Sequence, residues 1–263
     1  MLTLGEPQRT SYDLNFVVIG FPVRIHPLFW LGGLIWGFSG SIDGASMLIW
    51  ITVLLVSILV HELGHAILIR RLGRNARIVL YFMGGLAIED SGSPWALNYG
   101  RQGQSRTPQE QIWISAAGPI AGFLLAAITC AAVYMTGGSV VAEFSLDQRP
   151  YIDGALGGDL AENKYLDLLI DNLLFINIFW GVVNLLPVFP LDGGQIAQAW
   201  LTSQDPWQGT VKALWLSVFV GAGAAIVFGV LMHDMFLLML FASLAFSCYT
   251  TLQQIQGGGG RPW

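Results

Sequence analysis

Charged residues are scarce in this chain of 263: Asp, Glu, Lys and Arg together make up 11% of it. A soluble domain carries about 25%. So few charges cannot cover a water-facing surface, which excludes an ordinary soluble globular protein. With 54% hydrophobic residues, intrinsic disorder is excluded as well, because disorder needs the opposite balance. Basic residues number 12 against 17 acidic ones, a formal net charge of −5. No basic excess is left to grip a phosphate backbone, so no nucleic-acid partner is expected. Cysteine is nearly absent. Cys130 and Cys248 both lie in apolar runs, which rules out a disulfide framework or a cysteine-based metal site and suits packing roles. Glycine motifs for nucleotides, internal repeats and room for a separate soluble domain are missing too. Residues 1–13 are polar and carry no apolar core, so no cleavable signal peptide is expected.

Long charge-poor runs dominate instead. A bilayer-spanning helix needs roughly 20 apolar residues, and the sequence offers about six such helices: about 27–41, 46–70, 111–136, 166–189, 210–232 and 234–253. The first run is the shortest. Arg9, Arg24, Arg70, Arg71, Arg74, Arg77, Arg101, Arg106, Lys212 and Arg261 fall on one side of this topology, and only Arg149 and Lys164 on the other. By the positive-inside rule, both termini are then cytoplasmic in a multi-pass protein of the cell membrane. Leu14–Ile19 and Phe21–Ile25 read as short strands. The segment 76–88, β-branched and aromatic on both sides of Gly84-Gly85, reads as a hairpin at the inner surface. Thr107-Pro108-Gln109-Glu110 has the form of a capping box with proline at N1. The fold class is therefore an all-α polytopic membrane protein with a small membrane-associated β-hairpin or sheet at the cytoplasmic face. A single domain covers residues 1–253, followed by a disordered tail, 254–263.

Ionisable groups inside a membrane helix are expensive, and each is a functional candidate. The second helix holds His61-Glu62-Leu63-Gly64-His65, an H-E-x-x-H motif. At about 100° per residue, His65 lies about 40° around the helix from His61 and about 60° from Glu62. Two imidazoles one turn apart can grip one cation. In zinc hydrolases the carboxylate of this motif activates water and is not a ligand. Catalytic zinc takes three protein ligands, and the candidate third is Asp192, at the inner end of the fourth helix, just after Pro187 and Pro190. Paired with the histidines, it would complete a site for one Zn2+ ion.

HELGH in the second helix, followed by N-x-x-P-x-x-P-L-D-G across residues 184–193, resembles the site-2 protease family of intramembrane zinc metalloproteases. The resemblance implies His61, His65 and Asp192 as zinc ligands and Glu62 as the catalytic base. It implies that Asn184 contacts a substrate strand, that the Gly84-Gly85 hairpin pairs with it, and that Ser115-Ala116-Ala117-Gly118-Pro119 packs beside the site. The partners it implies are the lipid bilayer and a transmembrane protein substrate, either a membrane-tethered transcription regulator or a remnant signal peptide. Room for a PDZ or CBS module is missing, which makes this a compact member. Two other readings compete. An intramembrane metal-ion transporter or exchanger would show deep charges in several helices, and here they are confined to the second and the end of the fourth. A catalytically silent scaffold would lack one of the four site residues, and all four are present.

Overall fold

Residues 14–25 carry β-branched and aromatic side chains on both sides of Gly20, and they fold as a hairpin. The computed structural model describes residues 6–37, 43–82, 84–89, 106–143, 151–160 and 163–257. Strands β1 (Leu14–Val18) and β2 (Phe21–Ile25) pair antiparallel, with Phe16 opposite Val23. Gly20 turns between them at a φ of 79°, a region that glycine enters without steric cost. Next, β2 pairs in parallel with β3 (Ala76–Tyr81), and β3 pairs antiparallel with β4 (Gly84–Glu89), Tyr81 facing Gly84. The strands and the hairpin expected separately are thus one sheet, in the order β1-β2-β3-β4, with β4 at an edge. A parallel pair needs a crossover connection, supplied here by α1 (Pro27–Gly37) and α2 (Gly44–Arg71).

The helices start and stop for local reasons. Asp43 caps α2, its carboxylate accepting the Ser46 N–H at 2.7 Å. Arg70 and Arg71 close α2, where cations complement the helix dipole. Arg70 also donates to the Ile19 carbonyl at 3.1 Å and lies 3.9 Å over the Phe21 ring, which ties the first hairpin to α2. The capping box opens α3 (Pro108–Met135) as expected. Glu110 accepts the Thr107 N–H at 3.0 Å, and the Thr107 hydroxyl accepts the Glu110 N–H at 3.2 Å. Beyond α3, β5 (Ser139–Glu143) and β6 (Tyr151–Ala155) pair as a second, two-stranded sheet.

The fourth helix differs from its expected span of 166–189. It comprises α4 (Lys164–Phe175), a π-helical turn (Ile176–Trp180) and α5 (Gly181–Asn184). Pro187 and Pro190 lack an N–H and push the residue before them away from helical geometry, so the chain leaves the helix at Leu185. A separate helix that the sequence did not announce, α6 (Asp192–Gln204), follows. Then come α7 (Gly209–Ile226), extended by a π-turn to Leu231, and α8 (Met235–Gly257). Residues 254–257, expected in the tail, belong to α8, and 258–263 lie outside the described residues. Among the described residues, five segments are long and apolar enough to cross a membrane: Gly44–Arg71, Pro108–Met135, Lys164–Asn184, Gly209–Leu231 and Met235–Gln256. The described part of α1 has 11 residues.

The chain packs as two compact units. One comprises residues Met1–Ser105, Ile120–Val141 and Ile152–Ile178; the other comprises Arg106–Pro119, Ala142–Tyr151 and Phe179–Trp263. In the first, Val23, Ile25, Ile78, Val79 and Leu80 of the sheet are buried together with Ala66 and Ile69 of α2. A further cluster gathers Ala126, Val133, Ile152, Ile170 and Leu174. The Asn177 amide donates to the Ser57 hydroxyl of α2 at 2.8 Å, an interhelical hydrogen bond of the kind that joins membrane helices. In the second unit, α7 and α8 pack as an antiparallel pair around Leu214, Cys248 and Leu252.

The sheet is pinned by Arg24, buried in β2, which pairs with Asp13 and Glu6 at 2.9 Å each. A hydrogen bond from the Thr10 hydroxyl, aided by the Arg24 guanidinium, holds the Asp13 carboxyl down at about 2. A lowered carboxylate pKa contributes stability above the group's ordinary value, and that contribution is lost as pH falls through the folded value. The thermal midpoint of Asp13→Asn should therefore lie below that of the parent at pH 7. The difference should close as pH falls towards 2, measured by unfolding scans in detergent at stepped pH.

Candidate metal centre

His61, Glu62 and His65 lie in the C-terminal half of α2, a helix otherwise lined with Leu, Ile and Val. Spacing by four on one helix puts both imidazoles on one face. Their Nε2 atoms stand 3.2 Å apart and the rings meet edge to face. His61 is half-buried; Glu62 and His65 are buried, at 5% and 7% exposure. A tetrahedral ion bound at about 2.0–2.1 Å holds two nitrogens roughly 3.3–3.4 Å apart, so the observed spacing already fits a shared cation.

Beside Glu62 runs the edge strand β4, in the same unit. Gly84 and Gly85 begin it, and Gly84 takes a φ of 123°. A Cβ on Gly85 would fall on the Glu62 side chain. Glycine is needed at this position because the backbone passes directly over the carboxylate. Burial, with the Glu62 charge close by, raises the Tyr81 hydroxyl above its usual pKa.

Asp192 is buried, at 8% exposure. It was expected at the inner end of the fourth helix; it is instead the first residue of α6. Gly193 and Gly194 lie in the first turn of α6, pressed against the backbone of Leu185, Val188 and Phe189, where any Cβ would collide. Asp192-Gly193-Gly194 is therefore a tightly packed helix start, not a solvated turn. Asn184 ends α5, half-buried. One ligand atom from each of His61, His65 and Asp192 lies within 4.8 Å of the others, a donor set able to hold one metal ion.

Sequence reasoning missed the polar side chains that surround the turn before Asp192. Ser217 accepts the Phe189 N–H at 3.0 Å, the Cys248 thiol donates to the Phe189 carbonyl at 3.3 Å, and Gln195 donates to the Pro190 carbonyl at 3.1 Å. Ser217 and Cys248 sit in long apolar runs, and nothing in their spacing marks them. The proline-rich turn was the available signal, since freed backbone groups in an apolar interior need partners.

The fold and the donor set define a multi-pass membrane protein with a helix-borne H-E-x-x-H motif and an aspartate that can complete a metal site. The chain belongs to peptidase family M50, whose model matches residues 49–230. It is 26% identical over 237 residues to a zinc metalloprotease of Methanocaldococcus jannaschii, covering 88% of this chain and 58% of that protein. With Rip3 of Mycobacterium tuberculosis it shares 27% identity over 200 residues, covering 70% of this chain and 42% of the relative. The chain thus spans about half the length of these relatives. The solved structure of a site-2 protease from Methanocaldococcus jannaschii has the same fold, with a TM-score of 0.51 over 91% of this chain and 94% of that one at 21% identity.

Replacing His61, His65 or Asp192 by alanine should each weaken retention of a divalent ion by at least about tenfold, the lower bound for losing even an outer support of a metal site. Metal content after dialysis against a graded chelator measures it.

Proposed function

We propose that the chain is an intramembrane zinc metalloendopeptidase of the site-2 protease type. It hydrolyses peptide bonds within or near transmembrane segments of membrane-tethered regulatory proteins. The observation that carries this reading is the pairing of the three-residue donor set with a buried glutamate one residue from the first histidine. Two imidazoles and a carboxylate are a catalytic zinc set with one position left open, and zinc metalloprotease is the name that the Methanocaldococcus relative carries. None of the comparisons favours the transporter alternative. Arg70 and Arg71 in the last turn of α2, with Arg74 and Arg77 just after it, support a cytoplasmic placement of that end and of the sheet that β2 and β3 share; both termini are proposed to lie on the same side.

Zinc held there would supply Lewis acidity, lowering the pKa of a water to about 7 and polarising the scissile carbonyl. Glu62 takes the water's proton on its carboxylate and hands it to the leaving amine. Burial keeps that carboxylate away from bulk solvent, and the strand over it fixes its direction. A transmembrane substrate hides its amides in its own helix, so it must unwind before attack. Among the described residues no strand pairs with the outer edge of β4, and Gly84 and Gly85 at its start offer backbone without side chains for pairing with the unwound segment. The Asn184 amide binds the same segment from the end of α5.

Glu62→Gln should lower cleavage of a co-expressed membrane substrate by about 10²–10⁴-fold while zinc content stays at the parental level. Equal cleavage by both proteins would end the proposed role of Glu62. Gly85→Ala should depress turnover with zinc retained, because the new methyl group displaces the carboxylate and leaves the ligands alone. A Gly85→Ala protein of parental activity would disprove that the strand orients Glu62.

A further inference from the structure

The turn from Leu185 to Leu191 delivers Asp192, and every backbone N–H in it can be accounted for. Leu185 and Leu186 donate to Val182 and Val183, each at 3.1 Å, Val188 to Leu186 at 2.7 Å, and Leu191 to Val188 at 2.8 Å. Pro187 and Pro190 have no N–H. The Phe189 N–H and the Phe189 and Pro190 carbonyls find no such partner within the turn. Each is answered by one side chain: Ser217 on α7, Cys248 on α8 and Gln195 on α6. Ser217 and Cys248 are buried, at 1% and 2% exposure. Gln195 is held in its turn by Gln111 of α3, which donates to its Oε1 at 2.8 Å and to the Ser115 hydroxyl at 3.0 Å.

We propose that Ser217, Cys248 and Gln195 are positioning residues for Asp192, a three-point clamp on the backbone of the turn that presents this carboxylate to zinc. The inference rests on the reading of Asp192 as a zinc ligand and adds what sets its position. A turn interrupted by two prolines has no helical ladder to fix it. The close approach of Gly193 and Gly194 to residues 185–189 transmits any shift of the turn directly to the start of α6. Metal ligands must sit within about 0.2 Å of their ideal distances, so a small shift is felt as lost affinity. The clamp also assigns Cys248 a role as a hydrogen-bond donor, beyond the apolar packing its surroundings suggest.

The test compares zinc retention against a graded chelator, with thermal unfolding of the same detergent-solubilised proteins. Ser217→Ala and Cys248→Ala should each weaken zinc retention by about tenfold, as losing an outer support of a metal site does. Cys248→Ser, which keeps a donor at that place, should recover most of it. Leu252→Ala, a cavity in the same cluster that removes no partner of the turn, should lower the unfolding temperature and leave zinc retention at the parental level. If Ser217→Ala and Cys248→Ala bind zinc as the parent does, or lose it only in step with Leu252→Ala, the clamp is overturned. An Asp192→Ala arm separates the two levels. Zinc lost there but kept in the clamp variants refutes this inference alone, whereas a parent protein that takes up no zinc refutes the underlying reading and the clamp with it.

Discussion

A helix apolar enough to cross a bilayer can carry His61, Glu62 and His65 only if each polar group is answered inside the protein, because an unanswered charge at such depth is expensive. That constraint orders much of the first unit. The two imidazoles point their Nε2 atoms at one place, 3.2 Å apart, where a cation can satisfy both. The carboxylate between them is covered by the start of β4, and the cover works because Gly85 has no side chain. Strand β4 is in turn held by the register Tyr81 to Gly84 on β3, whose Ile78, Val79 and Leu80 are fully buried. The crossover through α1 and α2 makes β3 the parallel neighbour of β2. One consequence of placing a glutamate in an apolar span is thus a sheet whose edge begins with two glycines.

The histidines and the aspartate are supported in opposite ways. Residues four apart on a continuous helix share a face by backbone geometry alone, so His61 and His65 need no further device to stay paired. Asp192 comes from a segment broken by prolines, whose backbone groups must be answered one at a time. The second unit accordingly contains features that look unrelated in sequence: a buried serine on α7, a buried cysteine on α8, a glutamine one turn into α6 and two glycines packed against backbone. All of them act on the same seven-residue turn, Leu185–Leu191.

These two modes of support also explain which parts could be read in advance. Long apolar runs with a capping box or terminal arginines gave α2, α3, α7 and α8 within a few residues, because burial in lipid leaves a signal in every residue of a span. The H-E-x-x-H motif was legible for the same reason: the polar residues stand out against an apolar background. Helix α6 was not, since Asp192-Gly193-Gly194 opens it and glycines that pack against backbone look the same as glycines that turn in solvent. The parallel pairing of β2 with β3 was hidden because its partners are separated by α1 and α2. Cys248 was read as apolar filler, for its hydrogen bond goes to a carbonyl 59 positions away and leaves no local trace. The family resemblance reached Asp192 through its motif and not through geometry.

The number of ligands bears on what such a site is for. Four protein ligands close a zinc ion off and make it structural; three leave one position to water or substrate. Among the described residues the cluster contains His61, His65 and Asp192 and no further histidine, cysteine or carboxylate ligand. Glu62 stands next to His61 in sequence and one turn from His65, and its carboxylate lies against Gly85, where a substrate strand paired to β4 would pass. The same glycine that makes room for the Glu62 carboxylate also places no side chain of its own on the edge of the sheet at that point. A site built to store or carry an ion has no use for a buried carboxylate beside its donor set or for a glycine-lined strand edge, whereas the proposed hydrolysis of an unwound peptide would use both.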